Sequence, residues 1–288
     1  MSTASRKAEY TEQGRRVTDH WSKLAVTFDG ALKTLEEQGI TADAVKASDL
    51  HSLDMIHMGG VAATDELADL TGLTRNHLAL DVGSGVGGPA RRMADKYGAE
   101  VVGVELSETL CETATKFAEL VGLQDRVRFE HASALNLPFD DETFDVVTMT
   151  HVAMQISEKE RLFDELTRVV KPGGYLGLHE LFSGDGELYY PLAWATEPSM
   201  SALEPVELRA ERLTAQGFSV GEFIDHSEAG RVFHETNIKT FSEALSRDQG
   251  AQGLSTEVLE ARIRSSKAME KNLATGSLRV GMLVCQKR

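Results

Sequence analysis

The chain has 288 residues, with 45 Asp plus Glu against 30 Lys plus Arg, for a formal net charge of −15. Apolar residues make up 41% and charged residues 26%, which excludes a disordered or collagen-like chain, and the length suffices to bury a core without disulfide or metal staples. The acidic field repels phosphate backbones and anionic lipid, so neither nucleic acid nor membrane is an expected partner.

Cys111 and Cys285 are too few for a disulfide framework, and no CxxC or Cys/His spacing suggests zinc, so no metal is expected. Met1 to Arg16 is polar, without the apolar run of a secretory signal. No window approaches the roughly 18 uninterrupted apolar residues of a membrane span. These features point to a cytoplasmic protein, and the charge suits a salty cytoplasm.

From about Tyr10 to Gly72 the pattern is helical, with Val17, Trp21, Leu24, Phe28, Leu32 and Leu35 recurring at spacings of three and four. From His77 to Glu180 short apolar runs alternate with helical segments, the mark of βαβ units and a parallel sheet. The expected strands are His77 to Val82, Glu100 to Glu105, Val127 to Glu130, Phe144 to Met149 and Tyr175 to His179. The clearest helix is Glu158 to Val170, for which Ser157 and Glu160 predict a capping box. Lys171-Pro172-Gly173-Gly174 should stop it. Farther on, Glu207 to Gln216 reads as a helix, and Phe218 to Asp225 and Val280 to Gln286 as two closing strands with a helical stretch between them. The expected fold is α/β: a doubly wound, Rossmann-like seven-stranded sheet with the last strand antiparallel. Residues 1–72 would form a helical cap or lid, and residues 73–288 a core with a substrate lid at about 181–217.

Asp81-Val82-Gly83-Ser84-Gly85-Val86-Gly87-Gly88 follows the first strand and opens a helix. Glycines there let the backbone turn sharply and approach a ligand closely. The spacing satisfies both the dinucleotide GxGxxG and the tighter DxGxGxG form. Glu105 ends the next strand, where a carboxylate accepts the hydrogens of a ribose diol. Asp81 is awkward beside a pyrophosphate but useful beside an ammonium or a sulfonium. Adenosine with those two cations and no phosphate describes S-adenosylmethionine.

The run from Ala79 through Glu180 resembles the class I S-adenosylmethionine-dependent methyltransferases. It carries the glycine loop, then Leu137-Pro138-Phe139, Phe144-Asp145-Val146-Val147 and Val170-Lys171-Pro172-Gly173-Gly174. Ile56-His57-Met58-Gly59-Gly60, Thr150 to Ile156 and Pro191 to Ala195 extend the likeness to a bacterial small-molecule branch similar to sarcosine/dimethylglycine N-methyltransferases. The resemblance implies S-adenosylmethionine as cofactor and S-adenosylhomocysteine as product. It implies that Gly83, Ser84, Gly85 and Gly87 line the methionine and ribose, with Asp81 near the amino group. Glu105 would hold the ribose, Leu106 the adenine, and Ser133, Ala134 and Leu135 its ring. The family commonly has Asp where Ser133 stands, and a hydroxyl makes a weaker bond than a carboxylate. His151 would touch the methionine end.

Methyl transfer is an in-line displacement that needs positioning and no covalent intermediate. His151, His57 and Glu180 are the catalytic candidates. Met154, Gln155, Tyr189 and Trp194 are the substrate candidates, the aromatic residues for their affinity to ammonium. The N-terminal helices with Trp21 and Phe28 would close over the site. Arg91 and Arg92 read as a solvated face, and Cys111 as helix packing. The expected activity is methylation of a small molecule, with an amine of the sarcosine or dimethylglycine type favoured. A carbon, oxygen or sulfur acceptor is the alternative, and a nicotinamide-dependent oxidoreductase or a non-catalytic cofactor-binding module the rivals. A monomer or homodimer is expected.

Overall fold

The computed structural model describes residues 12–246 and 255–288. Tyr10, most of the polar leader and part of the helical stretch before the last strand lie outside the described residues.

The N-terminal part is helical: α1 (Glu12–Leu24), α2 (Phe28–Glu37), α3 (His51–Asp54) and α4 (Gly60–Leu70). Thr27 caps α2 by accepting from the Gly30 amide at 3.1 Å, which satisfies one of the donors that a helix start leaves open. Ala31 and Leu35 then turn inward with Leu50, Leu110 and Phe117, seating these helices on α6 (Glu108–Leu120).

Strands β1 (Leu78–Val82), β2 (Glu100–Glu105), β3 (Val127–His131), β4 (Phe144–Thr150) and β5 (Val170–Ser183) are parallel. With β6 (Phe218–Val220) and β8 (Leu278–Lys287), the order is β3-β2-β1-β4-β5-β8-β6, and β8 is antiparallel to β5. The chain winds outward from β1 in both directions, which opens a crevice beyond the carboxyl ends of β1 and β4. Helix α5 (Gly88–Tyr97) joins β1 to β2, and α7 (Lys159–Val169) joins β4 to β5. Alternation along β4 sends Val147 and Met149 to one face, with Leu162, Phe163 and Leu166 of α7, and Val146 to the other, with Met93 and Ala94 of α5. Each such fully buried side chain contributes about 1.5–3 kcal/mol of transfer free energy.

Four sequence expectations need correction. The sheet has eight strands, because the run expected as one strand over Phe218 to Asp225 is split into β6 (Phe218–Val220) and β7 (Ile224–Asp225). Both pair with β8, and between them the Gly221 amide still bonds the Val284 carbonyl at 2.9 Å. The capping box is absent: Glu158 is the N-cap of α7 and makes no side-chain bond. The Ser157 amide and hydroxyl instead donate to Gln13 Oε1 of α1 at 3.1 and 2.7 Å. Strand β5 begins at Val170, so Lys171 to Gly174 lie within it rather than ahead of it.

Arg91, finally, is buried rather than solvated: its guanidinium meets Asp54 at 2.7 Å and stacks over Phe117 at 5.2 Å. Arg92 pairs with Asp65 at 2.8 Å. Cys111 packs within α6 as expected, and burial pushes its thiol up to about 11.

Helix α8 (Val206–Ala215) precedes β6, and α9 (Ser227–Ser246) and α10 (Thr256–Thr275) lie between β7 and β8. The last two helices pack on the loop after β5, with Met269, Leu273, Leu192 and Trp194 in one apolar cluster.

Candidate active site

A cavity occupies the crevice at the carboxyl ends of the parallel strands. Its first half is lined by Asp81 near the end of β1 with Gly83, Ser84 and Gly85 beyond it, Glu105 at the end of β2 with Leu106 beyond it, and Ser133, Ala134 and Leu135 after β3. Its second half is lined by His57, Met58, His151, Met154, Gln155, Leu181, Trp194, Phe233, His234 and Met269. Helix α1 roofs it with Val17, Thr18 and Trp21. Trp21 Nε1 donates to Gln155 Oε1, and His20 Nε2 lies 2.9 Å from the Ala193 carbonyl, so α1 is tied to the loops after β4 and β5.

The glycine loop is shaped by left-handed backbone. Gly85 has φ +54 and open space where a Cβ would stand. Gly83, at φ +74, allows Val152 to approach so closely that a Cβ would clash at 2.4 Å. Gly87, at φ +82, faces Phe129 and Arg91 and does not line the cavity, so its role is packing. Glu105 braces the loop, its Oε2 accepting from the Gly85 amide at 3.0 Å and its Oε1 from the Ser107 amide at 2.8 Å. Burial raises its pKa.

Asp81 accepts at Oδ1 from the Thr148 hydroxyl at 3.2 Å, while Oδ2 is buried without a partner. Burial lifts Asp81 to about 7, with Glu105 adding to the rise. Ser84 Oγ is likewise buried and unpartnered. Ser133 Oγ accepts from the Leu135 amide at 3.2 Å, which stiffens the turn after β3.

In the second half, His151 stands at φ +55, an uncommon conformation for a residue with a Cβ. The turn that carries it is held from below. Glu180 Oε1 accepts from the Val152 and Ala153 amides at 2.9 and 3.0 Å. Lys159 Nζ, which burial pushes down to about 8, donates to the Ala153 and Ile156 carbonyls. Glu180 does not line the cavity, so it lies behind the turn rather than among the groups a ligand would touch. His57 Nε2 lies 2.9 Å from the Gly60 carbonyl, and burial pushes the ring down to about 4. Burial also lowers His234 to about 4 and holds His151 well below its ordinary value, with His179, His57 and His234 contributing. The cavity's histidines are therefore neutral imidazoles at pH 7.

Tyr189 is 45% exposed beneath Lys271 Nζ and lies outside the cavity, whereas Trp194 is buried in its wall. Phe28 packs on Phe117 rather than over the site. Sequence reasoning missed Asp54, Leu181, Phe233, His234 and Met269, the last three supplied by α9 and α10. Gly230 and His234 share the buried face of α9 at a spacing of four, a signal readable only once the helix has a partner. Among the described residues, no group of three or more His, Cys, Asp or Glu is arranged to hold a metal ion.

Residues 80–178 match the methyltransferase domain family. Methyltransferase GfsG of Streptomyces halstedii is 34% identical over 133 residues, covering 46% of this chain and 48% of that protein. Phosphoethanolamine N-methyltransferase 1 of Zea mays is 24% identical over 269 residues, 93% of this chain and 53% of that protein. The chain spans about half or less of the length of the curated relatives it matches. Among solved structures, geranyl diphosphate C-methyltransferase from Streptomyces coelicolor superposes with a TM-score of 0.71 at 16% identity, covering 98% of this chain and 100% of that one. The [4+2]-cyclase SpnF superposes at 0.66 with 24% identity, covering 84% of this chain and 97% of that one. Residues 80–178 are thus similar to the methyltransferase domain family, and the chain shares its fold with S-adenosylmethionine-dependent methyltransferases of known structure.

Proposed function

We propose that this protein transfers a methyl group from S-adenosylmethionine to an uncharged, largely apolar small molecule, at carbon or oxygen. The same fold serves a [4+2]-cyclase, so the reading rests on the site rather than on the fold. The cavity's first half fits the cofactor. Asp81 Oδ2 and Ser84 Oγ are polar atoms without partners, and Gly85 leaves room where a side chain would intrude. Asp81 would take the ammonium, Glu105 the ribose diol, and Leu106 with Ser133 to Leu135 the adenine. Bound there, the cofactor supplies an electrophilic methyl on a sulfonium.

The observation that carries the acceptor class is the make-up of the second half. Met58, Met154, Leu181, Trp194, Phe233 and Met269 wall it, and no lysine or arginine is among the described residues lining the cavity. An acceptor bearing a carboxylate or phosphate would be buried there without a counter-charge, which is costly. A neutral histidine next to the acceptor suits removal of a proton from an acidic O–H or C–H, and His151, in the cavity wall, would be that base. The sarcosine-type amine implied by resemblance is the second reading. The face of Trp194 favours its ammonium, but its carboxylate has no partner.

The test is release of S-adenosylhomocysteine from S-adenosylmethionine, measured with a panel of uncharged phenols and enols and with sarcosine, dimethylglycine and phosphoethanolamine. Turnover with the uncharged set is expected. Turnover confined to the charged amines would overturn the acceptor class.

A further inference from the structure

His179 is 2% exposed, and neither of its ring nitrogens has a hydrogen-bond partner. Leaving both unpaired forfeits their hydrogen bonds to water with nothing in return, so a native site that keeps them asks for an explanation. The ring is packed between other imidazoles. His151 lies 4.9 Å away across the β4–β5 pair, where its amide bonds the His179 carbonyl at 2.9 Å, and His226 lies 5.7 Å away. His57 completes the group at 6.0 Å from both His151 and His179. No N–H···N bond joins these rings in the structure, but the spacings of 4.9 and 5.7 Å are close to the roughly 5 Å between centroids that one such bond sets, so rotation of the rings would bring their nitrogens into range. The row ends near the surface, where His226 Nε2 lies 3.4 Å from Glu66 Oε2, with His226 22% and Glu66 43% exposed.

We infer that His151, His179, His226 and Glu66 form a proton path from the cavity to solvent. The inference rests on the methyltransferase reading for the source of the proton. When an acceptor X–H is methylated, the X–H electrons form the new X–CH3 bond, the C–S pair stays on sulfur, and one proton is left over. The His151 ring takes that proton on its cavity side. Its Nε2, buried and unpartnered, passes a proton to one nitrogen of His179, whose other nitrogen passes one to His226 and so to Glu66 or water. Each ring gains one proton and loses one, and its tautomer reverses. Burial holds His179 down at about 3, with His57 and His226 contributing, so no charge rests on the buried ring. His57 is no part of the path, because its Nε2–H is committed to the Gly60 carbonyl.

The experiment is 15N NMR of the histidine-labelled full chain saturated with S-adenosylhomocysteine. A relay requires both tautomers, so the ring nitrogens of His179 should show shifts averaged between the protonated and unprotonated values. His57 should show a single Nε2–H tautomer in the same spectrum. In His226→Phe, or in the milder His226→Gln, His179 should settle into one tautomer while cofactor-product affinity stays within about twofold. A fixed His179 tautomer in the unaltered protein would overturn the relay. Averaging that persists unchanged in both variants would overturn its path to the surface. Loss of S-adenosylhomocysteine binding in the unaltered protein would instead sink the methyltransferase reading.

Discussion

Asp81 presents one carboxylate oxygen to Thr148 and leaves the other without a partner at the cavity wall. With its pKa lifted to about 7 by burial, a ligand ammonium must bind the ionised form. The affinity for S-adenosylhomocysteine should therefore fall as pH drops below about 7, approaching tenfold per unit. Asp81→Asn should bind more weakly and lose that slope, as calorimetric titration across pH would record. His179 makes a separate prediction. Between about 3 and 6.5 the unfolded ring binds a proton that the folded ring refuses, so its contribution to stability is present above that window and is lost as pH falls through it. His179→Asn should make the acid-side loss of melting temperature shallower. Asp54 and Arg91 form a buried pair, and Asp54→Ala would leave the guanidinium uncompensated. Chemical denaturation should show a loss of about 3–5 kcal/mol.

Helix α1 is tied over the cavity through Gln13 to Ser157, His20 to the Ala193 carbonyl and Trp21 to Gln155. If it acts as a lid, Trp21→Ala should speed S-adenosylhomocysteine dissociation severalfold in stopped-flow fluorescence, with a smaller change in association. An unchanged dissociation rate would make α1 a passive cap. At this scale the sequence was legible wherever a period repeats locally. The first four parallel strands appeared within one residue of their expected bounds because their apolar runs are short and punctuated, whereas β5 runs beyond its expected bounds at both ends. The inward turn of Arg91 was hidden, since the Asp54 carboxylate that explains it lies far along the chain, and the split of the edge strand after Val220 has no local signal. The capping box failed for a related reason: Gln13, distant in sequence, competes for Ser157.

Across the whole molecule, the glycine loop and the Glu105 carboxylate were readable from sequence because one strand–turn–helix unit carries the first and the end of the next strand the second. The acceptor half was readable only in part: His57, His151, Met154, Gln155 and Trp194 line it as expected, but α9 and α10 supply Phe233, His234 and Met269 from well beyond Pro191 to Ala195, the last recognisable segment. Tyr189, read as a substrate contact from its aromatic neighbours, lies outside the cavity, and Trp194 lines it. Local composition does not say which side of a loop turns inward. No helix among the described residues is long and apolar enough to cross a membrane. The central claim is that Glu105 and the glycine loop bind the adenosyl cofactor, and calorimetric titration with S-adenosylhomocysteine tests it most directly. A micromolar or tighter constant is expected, weakened at least tenfold (about 1.4 kcal/mol) by Glu105→Ala. A folded sample that shows neither heat nor a thermal shift, but binds a reduced nicotinamide, would contradict it.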